Sequence, residues 1–316
     1  MSTWRLRPAA LPDDYPRLAA IYTACNPEPV TVEEMAEDDA KSTYASFLRL
    51  VGVDADGLVA GVGVVERHPE DQPGQFYVKA WVEPASRGQG LGRALADALE
   101  AWALEQGATE IRSGVRDNDP RSLAFARARG LEVDRHLFES TVEPAAFDET
   151  PFAGAVERAT ASGIRFFTLA AEPGDASEQK LYELYKRTAW DIPGFDLVTF
   201  PPFDDWRQWV VTGKNSRPDL TLIAADGPDF VGASVLSQRS SGGLYTDYTC
   251  VLREYRGRGI ALALKLLSIR AARQAGAPYL RTNNDSQNGP MLAINRKLGY
   301  VPCPGFYRMK KGVSPQ

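Results

Sequence analysis

The 316-residue chain is predicted to be an α/β protein built from two tandem domains. A glycine-rich segment at Arg87–Gly92 recurs as Arg256–Ala261, 169 positions later. Two further glycines keep that offset, since Gly107 matches Gly276 and Gly130 matches Gly299. The length suits two domains of about 150 residues. A content of 44% hydrophobic and 24% charged residues is ordinary for a globular protein.

The first repeat alternates strand patterns with helix patterns. Asp54–Gly57 separates two apolar runs and is a good hairpin turn. A Pro-containing, acidic stretch reaches to about Asp39. The predicted elements are a strand at Trp4–Arg7, a helix at Asp13–Cys25, strands at Phe47–Val53, Leu58–Val65 and Gln75–Val82, a helix ending at Gly107, a strand at Thr109–Val115 and a helix at Arg121–Arg129.

The second repeat restates this order from Gly163, with a hairpin turn at Asp226–Asp229 and a strand at Gly243–Val251. Its glycine loop leads into a helix that ends at Gly276. Residues Glu143–Ser162 are rich in Ala, Glu, Thr and Pro and show no clear period. We therefore predict domains at 1–145 and 163–316, joined by a linker at 146–162, each with parallel strands around its glycine loop.

Composition excludes several classes of protein. The net charge of −5 and pI of about 5.3 give no basic footprint for nucleic acid. Three scattered cysteines, Cys25, Cys250 and Cys303, argue against a disulfide framework, and two histidines without ligand spacing argue against a zinc site or a Ser-His-Asp triad. We expect no bound metal. With neither a signal peptide nor an apolar run of about 18 residues, the sequence favours a cytoplasmic protein without a membrane partner.

Each glycine loop is predicted to lie between a strand and a helix N-terminus. One face of each helix is apolar at helical spacing, at Leu91, Leu95, Ala98 and Trp102 in the first repeat and at Ile260, Leu264, Leu267 and Ala271 in the second. The free N–H groups of a helix N-terminus bind anions, and glycines let an anion approach the backbone. The pattern predicts a site for phosphate or pyrophosphate, the alternative being a plain helix-entry turn without a ligand.

Two common phosphate loops fail on particular residues. A dinucleotide fingerprint needs a third glycine where the chain has Arg93 and Leu262. A nucleotide P-loop needs Gly-Lys-Ser/Thr, and no lysine follows either loop. What remains is Arg-x-x-Gly-x-Gly/Ala after a strand.

That pattern resembles the acyl-CoA pyrophosphate loop of the GNAT superfamily of N-acetyltransferases. The likeness extends to Glu83-Pro84 before the first loop and to Gly130-Leu131 and Gly299-Tyr300. It covers both halves, as in mycothiol-synthase-like members. The resemblance implies two tandem domains, each a mixed, mostly antiparallel twisted sheet with flanking helices and a parallel strand-loop-helix-strand unit.

The resemblance also implies acetyl-CoA, or another acyl-CoA, as cofactor. Its pyrophosphate would bind Arg87, Gly88, Gln89, Gly90, Leu91, Gly92 and Arg93, and in the second repeat Arg256, Gly257, Arg258, Gly259, Ile260 and Ala261. Its pantetheine would follow the strand ends 80–82, which include Val82, and 249–251, which include Val251. Asn288 stands where the family has a further CoA contact, whereas the first repeat has Asp119 there.

The family's usual catalytic acid is missing from both repeats. The tyrosine that the family places four residues before the late glycine is replaced by Ala126 and Asn295. Tyr300 or Tyr307 could substitute, although each also suits a packed aromatic.

The strands before the loops distinguish the halves. Alternation predicts that Phe76, Val78 and Ala80 share one face, and that their counterparts Tyr245, Asp247 and Thr249 do likewise. The polar face favours catalysis in the second half by Asp247 or Tyr245, unless Asp247 is merely solvated at a sheet end. Thr249, and by family position Asp191, would contact the acceptor. Cys250 could suggest a catalytic nucleophile, but a small buried thiol is the simpler interpretation.

We therefore expect an acetyl-CoA-dependent N-acetyltransferase acting on a small-molecule amine, as a monomer or homodimer. A non-catalytic acyl-CoA sensor or scaffold is the alternative from another class, because the usual tyrosine is missing from both halves. A protein or peptide N-acetyltransferase is a third possibility.

Overall fold

The computed structural model of the chain describes residues 4–26, 29–194, 199–239 and 242–314. These residues separate into two compact units. The first contains residues 4–134 and 307–314, and the second contains residues 135–194 and 199–306. Each unit is described by itself.

The elements follow one another in chain order. The first part of the chain contains β1 (Arg5–Pro8), α1 (Tyr15–Cys25), α2 (Val32–Lys41), β2 (Ser46–Val53), β3 (Val59–Arg67), β4 (Gln75–Val82), α3 (Leu91–Glu105), β5 (Glu110–Arg116), α4 (Pro120–Ala128) and β6 (Glu132–Val142). The rest contains α5 (Ala155–Ala161), β7 (Ile164–Thr168), α6 (Asp175–Thr188), α7 (Phe203–Val210), β8 (Leu222–Asp226), β9 (Asp229–Gln238), β10 (Leu244–Val251), α8 (Ile260–Gln274), β11 (Leu280–Asp285), α9 (Gly289–Lys297), β12 (Val301–Pro302) and β13 (Phe306–Gly312). Short 3-10 turns lie at Pro84–Ser86, Thr150–Phe152, Leu169–Ala171, Ala189–Asp191 and Arg253–Tyr255.

The sheet of the first unit has the strand order β1-β2-β3-β4-β5-β13. The pairs from β1 to β4 are antiparallel, and β4 pairs with β5 in parallel. Leu91, Leu95 and Leu99 of α3 are fully buried in one apolar cluster of the unit. Burial of such a side chain contributes about 1.5–3 kcal/mol, so these contacts fix the direction in which the helix N-terminus points. A second cluster lies under α1 and α2.

The last strand of the chain completes the first unit. Met309 of β13 is fully buried and packs with Val115, Ala126 and Leu131. Lys311 donates to a carboxylate oxygen of Glu100 at 2.8 Å. The end of the chain is therefore an integral part of the first unit, which the predicted boundaries 1–145 and 163–316 did not anticipate.

The sheet of the second unit has the strand order β6-β11-β10-β9-β8-β7, and β12 also pairs with β6. Its pairs are antiparallel except for the parallel pair of β10 and β11. The residues expected to form a linker include α5, whose Ala155 packs in an apolar cluster of this unit. The segment 146–162 is thus structured. The prediction of mixed, mostly antiparallel sheets with flanking helices is confirmed.

Several local predictions meet the structure directly. The turn of the second repeat closes with Asp226 opposite Asp229, and Gly227 has a φ of +56°. The helix α2 is one of those that the sequence analysis does not predict, since it lies in the acidic stretch before Asp39. Its signal was a capping box, in which Thr31 and Glu34 exchange hydrogen bonds at the helix start. No helix in the described ranges is long and apolar enough to cross a membrane.

Candidate active site

Both glycine loops end at uncapped helix N-termini. Gly90 and Gly259 are the N-cap residues of α3 and α8, and neither helix has a side-chain cap. Both glycines, like Gly88 and Gly257 before them, have φ between +78° and +88°. A Cβ built on any of the four would meet no atom within 4 Å, so the space above each loop is open. Free N–H groups, the helix dipole and this open space suit a pyrophosphate.

An arginine closes each loop in the same way. The Nε of Arg87 donates to the carbonyl of Val82 at 3.0 Å, and the Nε of Arg256 donates to the carbonyl of Val251 at 3.1 Å. Each arginine thus ties its loop to the end of the preceding strand. The shared contact confirms that the 169-residue offset aligns equivalent positions of the two loops.

The second loop has an additional anchor in Asp191. Its carboxylate accepts hydrogen bonds from both Arg253 and Arg256. The hydrogen bond from Arg253, followed by that from Arg256, holds the pKa of this carboxyl below its usual value. Asp191 was predicted to contact the acceptor, and the structure places it beside the second loop with its carboxylate engaged by these two arginines.

A wedge-shaped opening follows the parallel pair in each unit. The pairing of β4 with β5 ends at Tyr77, and the pairing of β10 with β11 ends at Thr246, although β4 and β10 both continue for several residues. We call the gap beside the continuing strand the opening, and the last paired residue its apex. In an antiparallel ladder, every second residue directs its backbone N–H and C=O groups toward a given neighbouring strand. The N–H of Glu83 donates to the carbonyl of Ala60, and the N–H of Leu252 donates to the carbonyl of Val231, so these bonds identify which residues face β3 and β9.

It follows that alternate backbone groups of each continuing strand point into its opening. In the first unit these belong to Ala80 and Val82, and in the second unit to Thr249 and Val251. They are the backbone positions expected to bond an extended pantetheine arm as a further strand would.

A β-bulge distinguishes the second opening. The pairing of β10 with β9 shifts between Thr246 and Tyr248, so that Asp247 is the extra residue of the bulged strand. The described register of β4 on β3, from Val82 to Tyr77, has no such shift.

The bulge corrects one prediction. Tyr245, Asp247 and Thr249 were expected to share a face, but the extra residue reverses the alternation after it. The hydroxyl of Thr249 lies 3.3 Å from that of Ser234, which Ser268 of α8 contacts in turn. The Thr249 side chain therefore points toward α8, and the prediction of a shared face is wrong.

The bulge carries Asp247 just beyond the apex. Asp247 is exposed, and its carboxylate is hydrogen-bonded to Ser237. Loss of part of its surrounding water raises its pKa, against smaller opposing effects of Ser237 and Arg239. A carboxylate with a raised pKa is a better proton acceptor than an ordinary one. Asp247 is thus suited to general-base chemistry.

Tyr245 forms a polar cluster with residues that sequence reasoning missed. It is hydrogen-bonded to Glu139, and the guanidinium carbon of Arg239 lies 3.9 Å from its ring centroid. Burial and the nearby Glu139 raise the pKa of the Tyr245 hydroxyl. Glu139 lies on β6, between the two repeats, so no repeat-based alignment could have found it. The signal available was the alternating pattern of the strand itself.

The same face of the first unit is covered by aromatic side chains. Trp81 packs edge-on against Tyr22, with ring centroids 4.7 Å apart, and burial raises the pKa of Tyr22 to about 12. Lys79 of β4 is paired with Glu66 at 2.6 Å. The first unit therefore has the loop and the opening, but Lys79 on its β4 is already paired with the carboxylate of Glu66.

The remaining predicted residues lie around α9. Asn288 is the N-cap of α9, and its side chain accepts from the N–H of Met291 at 3.3 Å. Asp119 caps α4 in the same way, so the two positions are structurally equivalent. Tyr300 is 5% exposed, and burial raises the pKa of its hydroxyl. Cys250 is buried, and burial raises the pKa of its thiol to about 12, which disfavours a nucleophilic thiolate.

The fold and the paired loops define a two-domain α/β protein with a helix N-terminus without a side-chain cap beside the end of a parallel strand pair in each unit. The model of the acetyltransferase (GNAT) family matches residues 15–131 and again residues 179–300. The chain belongs to this family, and it is an acyltransferase. The predicted resemblance is confirmed, and acyl transfer to amines is the activity that the family and its named relatives support.

Three similar proteins illustrate the range. The chain is 33% identical over 123 residues to an aminoglycoside N(6')-acetyltransferase type 1 from Stenotrophomonas maltophilia, covering 36% of the chain and 78% of that protein. It is 26% identical over 258 residues to a mycothiol acetyltransferase from Corynebacterium efficiens, covering 79% of the chain and 76% of the relative. A tandem GNAT protein from the clavulanic acid biosynthesis pathway matches with a TM-score of 0.70 at 20% identity, over 99% of both chains, and shows the shared fold.

Proposed function

We propose that the protein is an acetyl-CoA-dependent N-acetyltransferase for a small-molecule amine, with the chemistry in the second unit. The bulge at Asp247 carries the proposal, because it sets a carboxylate of raised pKa just beyond the apex of the second opening. The first unit has no counterpart of this extra residue, because the described register of β4 on β3 has no bulge. Two of the similar proteins, the aminoglycoside and mycothiol acetyltransferases, carry names that specify small molecules.

The cofactor fits both loops on structural grounds. The open space over the glycines and the uncapped helix starts suit its pyrophosphate, whose neighbours would be the residues 87–93 and 256–261. The backbone groups of Ala80 and Thr249 would bond the pantetheine arm. The N–H groups of Val82 and Val251 would do so as well, since the carbonyls of these two residues already accept from the loop arginines. When bound, acetyl-CoA supplies the activated acyl group.

The residues of the second unit perform the proton chemistry. Asp247 takes the proton that the amine must lose, directly or through one water. The hydrogen bond from Ser237 holds the Asp247 carboxylate in place, and Arg239 lies close enough to limit the rise of its pKa. Glu139 and Tyr245 form the neighbouring wall, where an acceptor amine would meet an acidic group.

The first unit suits a cofactor site without turnover. The Tyr22–Trp81 pair and the Lys79–Glu66 ion pair occupy the face that in the second unit presents Tyr245. If neither unit turned over, the chain would be an acyl-CoA sensor or scaffold.

Calorimetric titration with acetyl-CoA tests the cofactor sites. Wild type should bind one ligand per loop, and Gly90→Glu and Gly259→Glu should each lose one, because a glutamate adds charge and a strained backbone at the anion site. Gly107→Glu and Gly276→Glu are matched controls, since each has a positive φ and open space at the far end of the same helix. No binding to wild type would refute the proposal.

Turnover is then measured by thiol release with a panel of small amines. Gly259→Glu should abolish release, while Gly90→Glu should retain it. The reverse outcome would place the chemistry in the first unit. If neither the variants nor the wild type release thiol, although the wild type binds acetyl-CoA, the result would favour the sensor.

A further inference from the structure

A buried polar layer lies between the sheet and the helices α8 and α9 of the second unit. Its members are polar where the first unit, at the 169-residue offset, is apolar. The pairs are Lys265 and Ala96, Ser268 and Leu99, Asn284 and Val115, Asn295 and Ala126, and Tyr300 and Leu131. All ten side chains are buried. The same fold is therefore built with an apolar layer in one unit and a polar layer in the other.

Lys265 is the most unusual member of this layer. It is 1% exposed, and its Nζ lies 5.2 Å from the ring centroid of Tyr300. In the described part of the chain no carboxylate forms an ion pair with it. Burial lowers its pKa to about 7. A buried charge without a partner is costly, so a lysine at this position needs an explanation beyond folding.

The contacts of Tyr300 connect Lys265 to the apex of the second opening. The Tyr300 hydroxyl lies beside the Thr246 side chain without an ordinary hydrogen bond between them, and Thr246 is the last residue of β10 that pairs with β11. The Thr246 carbonyl accepts a hydrogen bond from Thr282 of β11 at 3.1 Å. The buried cation therefore lies one aromatic ring away from the point at which the two strands separate.

Three oxygens of the layer reinforce this interpretation. The Thr246 hydroxyl, the Tyr300 hydroxyl and the Asn295 side-chain oxygen are buried without a hydrogen-bond partner of ordinary geometry. The side-chain nitrogen of Asn295 donates to the side-chain oxygen of Asn284 at 2.8 Å. Buried polar atoms without a partner are rare in native proteins, and a catalytic role or a bound water are among their explanations.

We propose that Lys265 is a positioning residue that stabilises, through its charge, the CoA thiolate leaving at the apex of the second opening. The inference rests on the proposed function. In acyl transfer the amine nitrogen bonds the acyl carbon, the carbon–sulfur bond breaks, and sulfur leaves with the electron pair. The amine proton passes to Asp247, and Asp247 returns a proton through water to the thiolate, which becomes the neutral thiol. A fixed cation in a site of low dielectric favours the charge that develops on sulfur.

Other titratable groups on the elements around Lys265 do not replace it in this role. These groups are Glu157 and Arg158 on α5, Asp226 on β8, Asp229 on β9, and Tyr245, Asp247, Tyr248 and Cys250 on β10. Among the described contacts of the Lys265 ammonium, the aromatic one is with Tyr300. The shift of its pKa has burial as its cause, with no contribution from a neighbouring charge.

The test uses free CoA as probe and needs no acceptor amine. In a Gly90→Glu background, which leaves the second loop intact, the pKa of the bound CoA thiol is measured from thiolate absorbance. We expect it to lie below that of free CoA, and Lys265→Met to raise it by about one unit. Ser268→Ala is the matched control, because Ser268 lies one turn further along the same helix and contacts Ser234 instead of Tyr300.

A second measurement needs no substitution at Lys265. Because coupling is reciprocal, the pKa of Lys265, followed by NMR of labelled lysine, should rise when CoA binds as the thiolate. Unchanged pKa values of thiol and lysine on a protein that binds CoA would overturn the inference and leave the proposed function standing. Failure of CoA and acetyl-CoA to bind at all would overturn both.

Discussion

Substitution of Met309 by alanine is expected to loosen the first unit, although Met309 lies close to the C-terminal end of the chain. Met309 is fully buried against Val115, Ala126 and Leu131. Replacing a buried methionine by alanine costs about 2–5 kcal/mol. Because each 1.4 kcal/mol is a factor of ten, the opening equilibrium of the first unit should rise by about 30-fold or more.

Hydrogen exchange read by mass spectrometry suits this prediction, since a two-unit chain does not give a single free energy of unfolding. Peptides from β5 and α4 should exchange faster in Met309→Ala, and peptides from β11 and α9 should not. Val301→Ala is the control, because Val301 is 62% exposed on β12 and its loss should cost no more than about 0.5 kcal/mol. Faster exchange in β11 and α9 instead would mean that β13 belongs to the second unit, and would refute its assignment to the first unit.

Two further predictions concern titration. Folded Lys265 loses its proton at about pH 7, whereas the lysine of the unfolded chain loses it at about pH 10.4. Between these two pH values the unfolded chain binds more protons than the folded chain, so the stability of the wild type rises with pH. Lys265→Met should lack that rise, worth at most about 5 kcal/mol, and be more stable than wild type at pH 6; equal denaturation curves at every pH would contradict this. Asp247→Asn should lower the acetylation rate about tenfold or more and remove an acid limb lying above the ordinary carboxyl range, whereas Asp229→Asn, on an exposed carboxylate at the start of β9, should change neither. A pH–rate profile that Asp247→Asn leaves unchanged would exclude Asp247 as the base.

The glycine loops could be predicted from sequence because their geometry is local. A glycine at positive φ and an apolar helix face are properties of neighbouring residues, and they recur at a fixed offset. The place of Arg87 and Arg256 follows from the same spacing. Most strands beside the loops were found for this reason, and the loops lie where the spacing placed them.

The partners of β6 and β13 could not be predicted in this way. An alternating pattern predicts that a segment is a strand, but it does not predict which sheet edge the strand joins. The choice depends on contacts distant in sequence, such as Lys311 with Glu100. The bulge at Asp247 could not be predicted from the sequence for a related reason. The two strands have equal lengths at a constant offset, so only the register against β9 reveals the extra residue.

The difference between the two units bears on where the chemistry lies. An unsatisfied buried polar group costs about 1–3 kcal/mol, and the layer around Lys265 contains three such oxygens besides the lysine. The first unit builds the same strand order around its opening with Ala96 and Leu131 in the corresponding places. The polar layer is therefore not required by the fold. Because it reaches the apex of the second opening through Tyr300 and Thr246, and because the Asp247 bulge begins at that same apex, one site accounts for both departures from the apolar pattern.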